Sequence, residues 1–385
     1  MIEALLADRE SRRAAETARP DDEPSVTLAR VAWSVLIEPG DGVAGALIGE
    51  LGPVEALAFA LSDGRFGLAE KAIQEGRRRW TPRAQPAAVR NALRGAAEVD
   101  ARLLLPGDRD WPAALDDLGD HAPAVLWVRG EAAHLTACSR VSIVGARAAT
   151  AYGESIAAEL AGDLAATQTV VVSGGAYGID GAAHRAALGT GGATVAFLAG
   201  GADRAYPVGH QQLFDRIRSS GALVSELPCG AAPTKFRFLS RNRLIAALGA
   251  ATVVVEAGWR SGSLNTAGHA STLARPLGAV PGPVTSAASA GCHRLMREYD
   301  AQCVTNAAEV RELMGMDAVD RGAAVTSDPD RTRLLDALSV RTARPPAELA
   351  RAAGLPPERV RALLGALSLD GEVAEVDGGW RRSSR

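Results

Sequence analysis

Apolar and polar positions along this chain fall into three regimes. Between residues 25 and 100 apolar residues recur at helical spacing, broken by Pro39-Gly40-Asp41-Gly42 and by Gly52-Pro53. The pattern predicts helices over residues 28–38 and 43–51 inside an all-helical module. After Leu103-Leu104-Leu105-Pro106-Gly107 the pattern changes. Short β-branched runs, expected as strands near 124–129, 141–144, 169–172, 194–198, 223–225, 252–256, 277–280 and 302–304, alternate with helical stretches at 152–166, 179–188, 209–220, 238–248, 263–274 and 291–298. Such alternation is the signature of an α/β domain with a Rossmann-like, doubly wound parallel sheet. Residues 315–330 read as a polar linker. Three further helices, at 332–338, 346–353 and 357–369, precede a hairpin around Asp377-Gly378, which together make a winged helix. The expected map is a flexible leader at 1–24, a helical module at 25–100, the sheet domain at 101–314, a linker at 315–330 and a winged helix at 331–385.

Three strand ends carry unusual turns. Val170-Val171-Val172-Ser173-Gly174-Gly175-Ala176-Tyr177-Gly178-Ile179-Asp180 runs from a fully apolar strand through small residues into a helix. Glycine there lets a ligand approach the backbone, and a helix N-terminus favours an anion. Val141-Ser142-Ile143-Val144-Gly145-Ala146-Arg147 ends the same way beside a cation, and Val253-Val254-Val255-Glu256-Ala257-Gly258-Trp259-Arg260-Ser261-Gly262-Ser263 is a third case. Turns at the carboxyl ends of parallel strands converge on one edge of the sheet, so these three suggest one shared site.

Charge narrows what that site binds. The net charge is only −3, so attraction to nucleic acid has to come from a local patch. One is visible: no acidic residue lies between Glu226 and Glu256, while Lys235, Arg237, Arg241 and Arg243 cluster there, interleaved with Phe236 and Phe238. Lys235 is one of only two lysines, with Lys71. Cations suit phosphates, and an aromatic face suits an unpaired base, which double-stranded DNA hides. Taken alone, the same stretch is better read as an amphipathic helix with a basic face and Phe236 or Phe238 in the core. The candidate groove comprises Arg147, Lys235, Arg241, Asn242 and Arg243 with the turns Ser173-Gly174 and Ser261-Gly262-Ser263, and Phe238 as stacking face.

Catalytic and cofactor chemistry finds little support. There is no GxGxxG fingerprint and no Walker A pattern. The four cysteines form no CxxC and the six histidines no HExxH pair, so no metal or other cofactor is expected. Asp180 and His184 share a helix face, a spacing that more often braces a loop than catalyses. The protein is therefore expected not to be an enzyme. The alternative is a nucleotide-processing enzyme of the phosphoribohydrolase-like Rossmann group, but the PGGxGTxxE loop of that group is absent. No apolar run reaches a membrane span and residues 1–24 hold no signal-like segment, so a cytoplasmic protein is expected. The glycine hairpin at 39–42 reads as a plain helical hairpin, with phosphate binding as its alternative. The winged helix could serve DNA or protein docking.

Several co-linear motifs resemble the DNA-processing protein A family (DprA, also called Smf). Ser173 to His184 is similar to its SGLAxGIDxxAH segment, Val144-Gly145-Ala146-Arg147 to its VGSR, Arg241-Asn242-Arg243-Leu244-Ile245-Ala246 to its RNRIIA, and Glu256-Ala257 with Ser261-Gly262-Ser263-Leu264-Asn265-Thr266-Ala267 to its EA…SGSLxTA. Tyr206-Pro207, Val280-Pro281-Gly282 and Gly291-Cys292-His293 extend the likeness, which runs over residues 103–313. It implies a protein that binds single-stranded DNA, protects incoming DNA in natural transformation and loads the RecA recombinase. It also implies a homodimer formed through the Rossmann-like domain and a helix-hairpin-helix or SAM-like N-terminal module. The family's DNA pocket maps onto Arg147, Lys235 and Phe238. Gly175, Ala146 and Tyr177 depart from the family's usual residues.

Overall fold

The computed structural model describes residues 6–62, 70–316, 329–340, 342–369, 371–376 and 378–383. It comprises two compact units, residues 1–317 and 318–385. Most of the expected linker, residues 317–328, and Asp377 of the expected hairpin turn lie outside the described residues.

The first unit begins with helices α1 (Arg9–Ala18), α2 (Pro24–Leu36), α3 (Gly42–Leu51), α4 (Pro53–Ala60), α5 (Glu70–Trp80) and α6 (Pro86–Glu98). The expectation of a flexible leader at 1–24 is corrected by α1. Asp8 caps that helix by accepting the Ser11 N–H at 3.0 Å, Ala15 is fully buried, and Arg19 holds Asp108 through Nη1 and Nη2 at 2.7 and 2.5 Å. Alanines at helical spacing look featureless in a charged segment, yet they let α1 pack closely on its neighbours. Trp33 and Trp80 meet edge to face at 5.5 Å in the centre of this bundle. The same apolar cluster takes in Leu103, Leu105 and Trp127 from the sheet side, so the expected boundary at residue 100 crosses a continuous core.

Nine strands form one sheet: β1 (Arg102–Leu104), β2 (Leu126–Gly130), β3 (Arg140–Val144), β4 (Val170–Ser173), β5 (Thr194–Phe197), β6 (Ala222–Ser225), β7 (Ala251–Val254), β8 (Leu277–Ala279) and β9 (Gln302–Cys303). Their order is β1-β2-β6-β5-β4-β3-β7-β8-β9. All pairs from β6 to β9 are parallel, and β1 and β2 form an antiparallel edge. The valine runs follow from burial on both faces: Val170 and Val172 enter one core and Val171 the other. Helices α7 (Ala151–Ala166), α8 (Ile179–Gly189), α9 (Gln211–Ser220), α10 (Lys235–Leu248), α11 (Ser263–Thr272), α12 (Ala290–Glu298) and α13 (Ala307–Leu313) cover the sheet. Strand order reverses at β3, flanked by β4 on one side and β7 on the other. That switch point opens a crevice beyond the carboxyl ends of the strands.

The second unit holds α14 (Pro329–Ala337), α15 (Pro346–Ala353), α16 (Pro357–Leu369) and the hairpin of β10 (Val373–Val376) and β11 (Gly379–Arg382). It is a winged helix with its own apolar cluster around Leu334, Leu349, Val360 and Leu364. On α16, Arg359 is ion-paired with Asp330 at 3.1 Å.

Candidate nucleic-acid interface

A groove of about 920 Å³ occupies the switch point, walled by the turns after β3, β4 and β7 and by the first turns of α10. The three turns interlock. The Ala146 N–H donates to the Glu256 carbonyl at 2.7 Å, and the Ile179 N–H donates to the Ala146 carbonyl at 3.2 Å. Gly178 sits at φ +71°, and a Cβ there would run into the Ala146 carbonyl. Glycine is thus required both by the backbone angle and by the close approach. Glu256 is buried and accepts from the Thr150 N–H at 2.9 Å and the Thr150 hydroxyl at 2.7 Å. Thr150 in turn caps α7. Both carboxylate oxygens of Glu256 are therefore spent holding the loop that carries Arg147.

Arg147, Lys235, Phe238, Arg241, Asn242, Ser261, Gly262 and Ser263 all border the groove. Helix α10 begins one turn earlier than its apolar pattern predicts, because Thr234 caps it by accepting the Arg237 N–H at 3.3 Å. That extra turn places Lys235 and Phe238 three apart on the rim. The Phe238 ring is half-buried, with the Arg147 guanidinium 4.6 Å from its centroid and the Tyr206 ring at 5.4 Å. Asn242 donates to Asn265 at 3.2 Å and so ties α10 to α11.

Three expected residues stand elsewhere. Ser173 is fully buried and donates to the Ile143 carbonyl at 2.6 Å. Gly174 lies beneath Arg241, where a Cβ would take the place of the guanidinium. Arg243 points away from the groove: it pairs with Glu226 at 2.7 Å and donates to the His121 and Ser240 carbonyls. The RNR triplet puts its two arginines on different sides of α10, because residues two apart on a helix do not share a face. The cation cluster is likewise less free than its spacing suggests, since Arg237 forks onto Glu38 at 2.8 and 3.0 Å. Among the described residues no ion pair engages Arg147, Lys235 or Arg260, which are exposed.

Two buried titratable side chains, Arg241 and Asp180, form part of the groove lining. Arg241 donates to the Gly174 carbonyl at 2.8 Å and also to the Phe197 carbonyl. Burial lowers its pKa to about 10, and Asp180 opposes that shift. Arg241 remains cationic at neutral pH. Asp180 accepts the Gly174 and Ala176 N–H groups at 3.2 and 3.4 Å; burial raises its pKa against the pull of Arg241. His184 turns instead toward Thr194, Nδ1 to Oγ1 at 2.7 Å. Asp180 and His184 thus serve separate structural contacts.

Tyr206, Arg260, Asn265 and Thr266 also line the groove; the sequence places them within motifs and turns but not among the candidate site residues. Arg260 carried the same signal as Arg147, a cation in a turn at the carboxyl end of a strand. Tyr206 reaches the groove from the long connection after β5, which no periodicity places.

Comparison with known proteins identifies the family. A family model described as DNA recombination-mediator protein A matches residues 102–315, and one described as DprA winged helix domain matches residues 319–379. A putative DNA processing protein DprA of Mycobacterium tuberculosis is 45% identical over 372 residues, spanning 91% of this chain and 93% of that protein. Protein Smf of Escherichia coli is 35% identical over 73% of this chain and 78% of its own length. DprA of Streptococcus pneumoniae has a solved structure similar at TM-score 0.60 and 30% identity, covering 75% of this chain and 97% of that one. DNA processing protein A of Helicobacter pylori matches at TM-score 0.51 and 30% identity, over 56% and 96%. With more than half of its length matched by the family model and its motifs standing around one groove, this chain belongs to the DNA-processing protein A (DprA/Smf) family.

Proposed function

We propose that this protein binds single-stranded DNA in the switch-point groove and does so without chemical turnover. The observation that carries the reading is the juxtaposition of Arg147 and Lys235, cations with no ion-pair partner among the described residues, with the half-buried ring of Phe238. Phosphates are drawn to the first two and a base to the third. A ring recessed in a groove meets an unstacked base far more readily than one held in a duplex. The similar Helicobacter pylori protein, whose structure addresses a single-stranded DNA binding mode, supports the same assignment. Glu256, Asp180 and His184 are committed to loop and core contacts, which argues for binding rather than catalysis. Delivery of the bound strand to RecA in transformation or recombination, and a homodimer built on the sheet domain, complete the reading that the family resemblance implies.

The test is binding of labelled single- and double-stranded oligonucleotides across a salt series. Single strands should win, with affinity falling as salt rises. The double variant R147E/K235E, shown folded by circular dichroism, should lose most of that affinity. Affinity for a thymidine oligonucleotide that survives both charge reversals would place the site elsewhere.

A further inference from the structure

At the carboxyl end of β7 the groove wall continues into an exposed aromatic. Gly258-Trp259-Arg260-Ser261 is a β-turn, closed by the Ser261 N–H donating to the Gly258 carbonyl at 3.0 Å. Its two central residues are Trp259 and Arg260. Arg260 lines the groove; Trp259 is its covalent neighbour and is 58% exposed. A singly exposed aromatic is ordinary on a protein surface; what sets this one apart is its place beside the groove, where an indole face can cover a base. This one is also held in place. The Arg294 guanidinium lies 5.2 Å from its ring centroid. Arg294 is fixed in turn by donation to Glu298 at 2.7 Å. Helix α12 comes close enough for this because the Gly291 N–H donates to the Ala257 carbonyl at 2.7 Å, where a Cβ on Gly291 would collide.

We propose that Trp259 is a second stacking platform, which takes a base of the same DNA strand as it leaves the groove past Arg260. The inference rests on the groove being the single-strand site. A guanidinium on one side of the indole restricts the ring before DNA arrives, so little side-chain freedom remains to be lost when a base covers the open side. Arg260 offers the adjoining phosphate a cation with no ion-pair partner among the described residues. Glu298 is engaged by Arg294 at 2.7 Å, and that ion pair tempers its repulsion of a nearby phosphate.

The tryptophans make this directly measurable. Trp33, Trp80 and Trp127 are fully buried, Trp111 nearly so, and Trp380 of the winged helix is half-buried. Solvent-exposed indole emission therefore comes chiefly from Trp259, and W259F separates it from the half-buried Trp380. The full chain is titrated with a thymidine oligonucleotide, following both the anisotropy of the labelled strand and intrinsic fluorescence. Quenching should rise in step with anisotropy, should be absent with a strand carrying abasic positions, and should vanish in W259F. W259F should keep its affinity, whereas W259A should lose about five-fold or more with an unchanged salt slope. Binding by anisotropy without quenching, equal quenching by abasic strands, or an unaltered W259A would overturn the platform and leave the groove standing. No binding by anisotropy would remove the groove and the platform together.

Discussion

Arg243 and Glu226 form a buried ion pair at 2.7 Å, their side chains only 5% and 8% exposed. The pair joins α10 to the end of β6. Gly40, in the hairpin between α2 and α3, lies close enough that a Cβ there would sit 3.2 Å from Arg243 Nε. Removing one partner of a buried pair leaves the other uncompensated, at a cost of roughly 3–5 kcal/mol. Arg243→Ala should accordingly shift the urea midpoint strongly. At temperatures where that variant is still folded, single-strand affinity should be near that of the parent. Full stability with lost binding would return Arg243 to the groove.

Lys235 and Phe238 should differ in kind. Lys235→Ala should weaken binding and flatten the salt dependence by about 0.7 in the log–log slope, one phosphate contact on a single strand. Phe238→Ala should weaken binding by roughly 1–3 kcal/mol with the slope nearly unchanged. Because Arg147 lies over that ring, Arg147→Ala and Phe238→Ala together should cost less than the sum of the two, as expected for residues in contact. Strict additivity would mean that they act on separate parts of the strand.

Glu38 offers a test of positioning. It receives a two-pronged contact from Arg237 and a second cation from Arg83 at 2.9 Å. Burial opposes its ionisation, but the hydrogen bonds and charges of Arg237 and Arg83 outweigh that and hold its pKa below the usual range. The helical module thereby steadies the turn of α10 that bears Lys235 and Phe238. Glu38→Gln removes a negative charge near the groove, which by electrostatics alone should strengthen DNA binding. Loss of position predicts the reverse, a two- to five-fold weakening, equivalent to about 0.5–1 kcal/mol. Tighter binding in Glu38→Gln would show that the contact acts only as a charge.

Shortening the chain tests the division into two units. Leu313, the last residue of α13, is buried in the core of the first unit, and the winged helix closes an apolar cluster of its own. A chain ending at residue 316 should stay soluble, melt cooperatively and keep most of its single-strand affinity. Aggregation, or complete loss of binding, would make the winged helix part of the site.

How much of this was legible in advance depended on the kind of signal. The valine runs of β3, β4 and β7 are buried on both faces and announce themselves by composition, whereas the order of the strands emerges only from the structure. The turns that end them pointed to a common edge, where Arg147, Lys235 and the serines after β7 do meet. The fate of Arg243 was not legible. Its acidic partner lies seventeen residues back, at the end of another strand, and no local pattern shows which face of α10 turns toward it. Arg237 hid its partner more deeply, since Glu38 sits 199 residues away. Helix α1 was missed because its charge makes it read as solvated, although its small and charged residues fall on opposite faces and Asp8 caps it.

His184 supplies a prediction in pH. It is fully buried in α8, beneath the Ser173–Asp180 turn. Thr194 gives its hydroxyl proton to the Val171 carbonyl at 2.6 Å, so His184 Nδ1 must donate to Thr194 Oγ1, and Nε2 is left unprotonated and without a hydrogen-bond partner. Burial lowers its pKa from 6.5 to about 3, helped by the electrostatics of His210, Arg241 and Arg185. The unfolded chain takes up this proton near pH 6.5 while the folded chain refuses it until about 3. Protons therefore favour the unfolded state, and stability present above 6.5 is lost as pH falls toward 3. The slope from this group is about 1.4 kcal/mol per pH unit. Asp180 works in the opposite direction, because its raised pKa makes the folded state bind a proton first on acidification. The quantity to measure is therefore a difference: chemical denaturation of the parent and of His184→Gln at matched pH values. The advantage of the parent should shrink steadily below pH 6.5. A difference that stays constant from pH 7.5 to pH 4.5 would mean that His184 is not held neutral in the folded protein.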